Sequence, residues 1–93
     1  MRERERIDRI LALIQEIWHY MPDIRFNQLV SALQTFYSQR NGGYGTREVF
    51  EKEVTETYTV ERKVTYLDFF HLEDDEFEAF LESYAKELRE ERK

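Results

Sequence analysis

The sequence predicts an α+β fold, with three amphipathic helices and a small antiparallel β element, a hairpin, between helices two and three. Three observations carry this. Apolar stripes of period near 3.6 recur in three places, the alternation drops to a period of two between the second and third, and Pro and Gly fall only at the junctions. With 93 residues the chain has room for one small domain, 1–93, built on a single modest core.

Helix one is read over about Arg4 to Tyr20, because Ile7, Ile10, Leu11, Ile14, Ile17, Trp18 and Met21 form one continuous stripe at helical spacing. Leu13 and Tyr20 fall off that stripe, and Arg and Glu occupy the remaining face, with Glu5 and Arg9 in the favourable i,i+4 order. Pro22 ends the helix, since the residue before a proline is driven out of the helical region and proline offers no amide donor.

The second stripe, Phe26, Leu29, Val30, Leu33, Phe36 and Tyr37, places helix two over about Arg25 to Gln39. Asp23 or Arg25 occupies its cap region, and only Asp23 has an acceptor oxygen for the orphan amides; Gln28 stands at the capping-box distance from Arg25. The stretch WHYMPDIRFNQL is therefore the corner between two helices, with Trp18 and Phe26 expected as core anchors on either side of Pro22. Asn41, Gly42, Gly43 and Gly45 suit a left-handed helix exit followed by a loop.

In TREVFEKEVTETYTVERKVTY, residues 46–66, the large apolar side chains Phe50, Val54, Tyr58, Val60, Val64 and Tyr66 sit at even positions and Thr, Glu and Lys at most odd ones. This is the alternation of a half-buried strand. One strand of that length is unusual, so a reversal is expected, yet no Gly, Pro, Asn or Asp marks it. Glu61–Arg62–Lys63 is the first choice for the turn and Thr55–Glu56–Thr57 the second, while a short helix from Thr46 to about Val54 competes for the first half.

Phe77, Phe80, Leu81, Tyr84 and Leu88 set helix three over about Asp74 to Arg89. Asp74, Asp75 and Glu76 then lie in its first turn and Lys86, Arg89, Arg92 and Lys93 toward its end, each complementing the helix dipole.

Charge narrows the functional classes. The net charge of −6 arises in the last third, because residues 1–66 hold ten basic and ten acidic side chains and residues 67–93 hold four basic and ten acidic. Nucleic-acid binding draws on clustered Lys and Arg, and no such block occurs. No apolar run reaches the roughly 20 residues of a membrane helix, and MRERERIDR leads into an amphipathic segment rather than a signal-peptide core. The absence of cysteine excludes a disulfide framework and a thiol nucleophile and suits a reducing compartment, so the expected location is cytoplasmic.

The corner Trp18-x-x-x-Pro22-Asp23-Ile24-Arg25-Phe26-x-Gln28-Leu29 and the later Asp68-Phe69-Phe70-His71-Leu72-Glu73-Asp74-Asp75-Glu76 resemble the pattern of small uncharacterised bacterial and phage proteins. The resemblance covers about two thirds of the chain at its two ends. Residues 42–65 have no counterpart in it and read as an insertion. It implies a small intracellular protein of bacterial or phage type, and it supplies no activity or catalytic residues to carry over.

Candidate chemistry is thin. His19 beside Trp18 has the pKa range of a general base, but a histidine is also favoured near a helix C-terminus, and no second titratable residue stands near it in sequence. His71 with Glu73, Asp74 and Asp75 offers nitrogen and oxygen ligands, yet the spacing matches neither a zinc signature nor a calcium loop. Gly42-Gly43-Tyr44-Gly45-Thr46 lacks the Gly-Lys-Ser/Thr ending of a phosphate loop, and the aromatic residues that could stack bases fall mostly on the core stripes. No catalytic, cofactor-binding or metal-ligating residue is therefore expected. The expected function is a non-catalytic protein-interaction or regulatory module with a protein partner, itself a homodimer through the β segment or the helix stripes. Its acidic last helix or an exposed strand edge would make the contact. The alternative is a winged-helix-like nucleic-acid binder using Arg25, Arg40, Arg47, Arg62 and Lys63.

Overall fold

The computed structural model describes residues 2–91 and has the α+β architecture, with element order α1 (Glu5–Tyr20), α2 (Phe26–Arg40), β1 (Thr46–Val54), β2 (Thr59–Leu67) and α3 (Asp74–Glu91). Arg92 and Lys93, placed in sequence beyond the end of helix three, lie outside the described residues. The three helices share one core of Ile17, Leu29, Leu33, Tyr37, Phe80, Leu81, Ala85 and Leu88.

The buried face of α1 is rotated from the expected stripe. Ile10, Leu13, Ile14, Tyr20 and Met21 all pack on the core, whereas Ile7 and Leu11 are exposed. The reason is the partner: α1 lies along α3 in the same direction, as the ion pairs Arg2–Glu73, Arg6–Asp74, Arg9–Glu78 and Glu16–Arg89 advance together along both segments. The seam is thus set by a helix at the far end of the sequence.

At the corner, the Met21 amide closes back on the Trp18 carbonyl and the Trp18 indole donates to the Ile24 carbonyl at 2.9 Å. The Arg25 amide donates to Gln28 Oε1 at 2.9 Å, so Arg25 and not Asp23 stands at the cap. Trp18 is half-buried against the core, but Phe26, expected as its fellow anchor, is 50 % exposed and touches the Trp18 ring from outside.

The exit of α2 uses the Gly43 amide, which returns to the Ser38 carbonyl at 2.7 Å, and the Asn41 side chain, which donates to the Tyr37 carbonyl at 2.8 Å. Tyr37 is the centre of an aromatic cluster, with the rings of Tyr44, Phe69, Phe77 and Phe80 all 5.5 to 5.7 Å from its own. Burial pushes its phenol pKa up. Gly45 seals the base of the hairpin there. It has φ +80°, its carbonyl accepts the Asp68 amide at 2.8 Å, and a Cβ on it would stand 2.6 Å from the Phe69 ring.

Strands β1 and β2 pair antiparallel from Thr46↔Leu67 to Val54↔Thr59. The helix considered for Thr46 to Val54 is therefore strand throughout. Glu61–Arg62–Lys63, the first choice for the turn, lies inside β2, and the reversal falls at the second choice, between Val54 and Thr59. It forms without Gly or Asn because the Thr55 hydroxyl accepts the Tyr58 amide at 3.0 Å, a side-chain substitute for a turn bond, while the Thr55 amide donates to the Tyr58 carbonyl at 2.8 Å.

The register also separates the even-numbered apolar residues. Each pair sums to an odd number, so Thr46, Glu48, Phe50, Lys52 and Val54 share a face with Thr59, Glu61, Lys63, Thr65 and Leu67. The opposite face carries Val49, Val60, Val64 and Tyr66 with Arg47, Glu51, Glu53 and Arg62. Neither face is covered by the helices, since every strand residue except Leu67 is exposed. The molecule measures 58 × 36 × 22 Å, and nine residues of strand, roughly 30 Å, project from the helical body as an arm.

Candidate interaction surface

His19 sits exposed in the last turn of α1, above an open cleft of about 240 Å³ lined by Gln15, Trp18, His19 and Pro22. That volume is below the range of about 300–1,000 Å³ usual for small-molecule pockets. The lining is mainly apolar, and the one indole N–H is already committed to the Ile24 carbonyl. The cleft thus gathers hydrocarbon around a single imidazole.

The acidic run at the start of α3 is spent on the N-terminal arginines. Arg2 holds Glu73 through two bonds of 3.0 and 3.1 Å, Arg6 Nε meets Asp74 at 2.7 Å, and Arg9 holds Glu78 at 2.8 and 3.1 Å while also binding Glu3. The Glu78 side chain is only 12 % exposed, and its hydrogen bond to Arg9 holds its carboxyl below the usual glutamate range. The same bonds, to Glu78 first and Glu3 second, raise the Arg9 guanidinium. Asp75 instead accepts the Glu76 amide at 2.9 Å. His71 lies exposed with its ring against Phe70, and among the described residues no three His, Asp or Glu side chains converge to hold a metal ion.

Sequence reading assigned these charges to solvent and to the helix dipole. It missed that the first arginines and the last helix face each other across the bundle. The alternation in MRERERIDR, with Arg2, Arg6 and Arg9 spaced three and four apart, is the pattern that carries the clamp.

Three amides of the glycine loop are engaged within the chain. Gly43 donates to Ser38, Tyr44 to Asn41 and Thr46 to Gly43, so they form a helix exit and a hairpin entry rather than a cradle for phosphate. Of the aromatic residues, Tyr37, Tyr44, Phe69, Phe77 and Phe80 make the cluster at the hairpin base, and Phe36 and Tyr84 pack beside it, with the Arg40 guanidinium 5.6 Å from the Phe80 ring centre and 5.4 Å from that of Tyr84.

What remains unpartnered is the arm. Twelve large apolar residues are exposed among the described residues, and seven of them, Val49, Phe50, Val54, Tyr58, Val60, Val64 and Tyr66, belong to the hairpin. Phe50 is 71 % exposed and Val54 67 %. The sheet has two strands, so β1 and β2 each present an open edge of backbone donors and acceptors. Opposite charges face each other across the hairpin: Lys63 meets Glu48 at 2.8 Å, Arg62 stands opposite Glu51, and Lys52 opposite Glu61.

No family model, no curated protein and no solved structure matches the chain. Among the described residues no helix is long and apolar enough to cross a membrane.

Proposed function

We propose that this protein is a non-catalytic interaction module, a small bacterial or phage accessory factor of the cytoplasm, whose docking element is the hairpin β1–β2. The observation that carries this reading is the arm itself, which holds over half of the exposed large apolar residues and touches the core only at its base. An isolated two-stranded hairpin is marginally stable in water, and exposed edges and apolar faces are the features by which strands recruit other chains. All of the arm except Tyr66 and Leu67 falls inside the segment 42–65 that has no counterpart in the bacterial and phage pattern, so on this reading the insertion carries partner choice.

The winged-helix alternative shares the order helix, helix, hairpin, but the arm's Arg47, Lys52, Arg62 and Lys63 are outnumbered by the interspersed Glu48, Glu51, Glu53, Glu56 and Glu61, which dilutes any attraction for phosphates. The test uses the full chain as bait in lysate of its host, beside a variant with Val49, Phe50, Val64 and Tyr66 each replaced by Thr, which keeps strand propensity. Partners held by the unaltered chain and released by the variant support the reading. Partners retained by the variant, or duplex DNA bound with a steep dependence on salt, overturn it.

A further inference from the structure

We infer that the first partner of the arm is a second copy of this chain, joined edge to edge through β1 about a twofold axis at Phe50, to give the four-stranded sheet β2–β1–β1–β2. This rests on the reading of the hairpin as a docking element and names its occupant. The argument is the order of charges along β1.

In a closed twofold antiparallel pairing, residue i of one strand faces residue j of the other at a constant sum of i and j. Opposed side chains share a face and the axis keeps that face, so i and j have the same parity and the sum is even. Few registers survive this. With Phe50 on the axis the sum is 100, all nine residues of β1 pair, Arg47 faces Glu53, Glu48 faces Lys52, and Phe50 faces its own copy. Each charged pair occurs twice by symmetry. Four opposite-charge pairs and one aromatic pair result, with no like charges opposed.

The neighbouring registers are worse. A sum of 102 sets Glu51 on itself, and a sum of 98 shortens the pairing to residues 46–52 and keeps only Arg47 against Glu51. Like charges directly opposite destabilise a sheet, whereas opposite charges and aromatic pairs support it, so the sequence of β1 selects one register. Strand β2 behaves in the contrary way. Its full-length twofold register sets Lys63 on itself, and the next two toward the turn set Arg62 and then Glu61 on themselves. The shorter register about Val64 opposes no like charges but forms no opposite-charge pair either, so only the β1 edge of the arm is self-complementary.

The observed structure accommodates this pairing. The strand residues of β1 are all exposed, and its hydrogen-bonded neighbour is β2 alone. The antiparallel arrangement sends the two helical bodies to opposite ends of the new sheet, about 30 Å apart along it. Phe50, 71 % exposed in the single chain, gains a ring beside it on the axis. Glu48, already bound by Lys63 of its own hairpin, gains Lys52 from the other side.

The test combines mass, charge exchange and cross-linking. Sedimentation equilibrium of the full chain at tens to hundreds of micromolar is expected to show twice the 11.5 kDa monomer mass. Arg47→Glu and Glu53→Arg should each raise the dimer dissociation constant by roughly tenfold or more, since each opposes like charges twice. An equimolar mixture of the two variants should dimerise, because in the mixed pair every altered site again meets its opposite. The chain has no cysteine, so Phe50→Cys should form an intermolecular disulfide under mild oxidation, while Val49→Cys, whose copies lie two residues out of register, should not. Circular dichroism of each variant confirms folding, as all four positions are exposed.

A monomer throughout this concentration range overturns the inference. So does a dimer whose affinity ignores both charge reversals, or one that cross-links as readily at Val49 as at Phe50. None of these touches the broader proposal, which fails if partner capture survives loss of the arm's apolar residues or if the chain binds duplex DNA with a steep dependence on salt.

Discussion

Replacing Gly45 with alanine should loosen the joint between arm and body, and Gly42 provides the control. Both glycines have positive φ, +80° and +66° respectively. An L-residue there costs about 1–2 kcal/mol, offset by about 0.4–1 kcal/mol from the stiffer unfolded chain, and these contributions are nearly common to both sites. The surroundings differ. A Cβ at Gly42 meets nothing within 4 Å, whereas one at Gly45 stands 2.6 and 2.7 Å from two carbons of the Phe69 ring and 3.0 Å from the Asp68 carbonyl oxygen.

An ordinary carbon contact is about 3.5–4.0 Å, so the ring has to shift by roughly 1 Å. Phe69 holds edge contacts with Tyr37, Tyr44 and Phe77, each worth about 0.5–1.5 kcal/mol beyond area burial, and the shift disturbs all three. Gly45→Ala should therefore cost about 1–3 kcal/mol more than Gly42→Ala. Guanidinium unfolding followed by the single tryptophan, Trp18, measures both, and hydrogen exchange of the Asp68 amide reports the joint directly. Equal costs at the two sites, within about 0.5 kcal/mol, would show that the Phe69 cluster yields freely and does not fix the arm.

Trp18→Phe should lose about 1 kcal/mol, the net worth of its bond to the Ile24 carbonyl. Phe26→Ala, at a half-exposed site, should cost far less than Leu81→Ala at a fully buried one, where about 2–5 kcal/mol is expected; thermal melts of the three variants order them. Glu78 has a folded-state pKa lowered by Arg9, so the pair's stabilisation is present above the usual glutamate range and is lost as pH falls through the lowered value. Urea midpoints of Glu78→Gln measured down that range should then fall less steeply with acid than those of the unaltered chain, and an identical slope would remove Glu78 from the account. Millimolar calcium, magnesium, manganese or zinc should leave the melting temperature unchanged, because the carboxylates of Glu73, Asp74 and Glu78 are already bonded to arginine. A saturable rise abolished by Asp74→Asn with Asp75→Asn would contradict this.

The helices were legible because each buries a stripe, and burial writes a period of 3.6 into the sequence. The turn was not. Placing it at Glu61–Arg62–Lys63 would set pairs of even sum and gather Phe50, Val54, Val60, Val64 and Tyr66 on one face, which is what a packed sheet needs. This arm packs on nothing, so no such demand acts on its register, and the alternation reflects the liking of Val, Tyr and Phe for strands. The turn that does form rests on one threonine hydroxyl, a signal weaker than Gly or Asn. The Arg2, Arg6 and Arg9 clamp was invisible for a different reason, since its partners lie 68 to 71 positions away and helical periodicity says nothing about which helix will face which.

That separation also fixes an order of events in folding. The hairpin pairs neighbouring strands and closes in about 1–10 μs, whereas the seam of α1 with α3 joins side chains 68 to 73 positions apart and has to close a loop that contains both α2 and the arm. Local pairing in the arm thus comes before the clamp that completes the helical body.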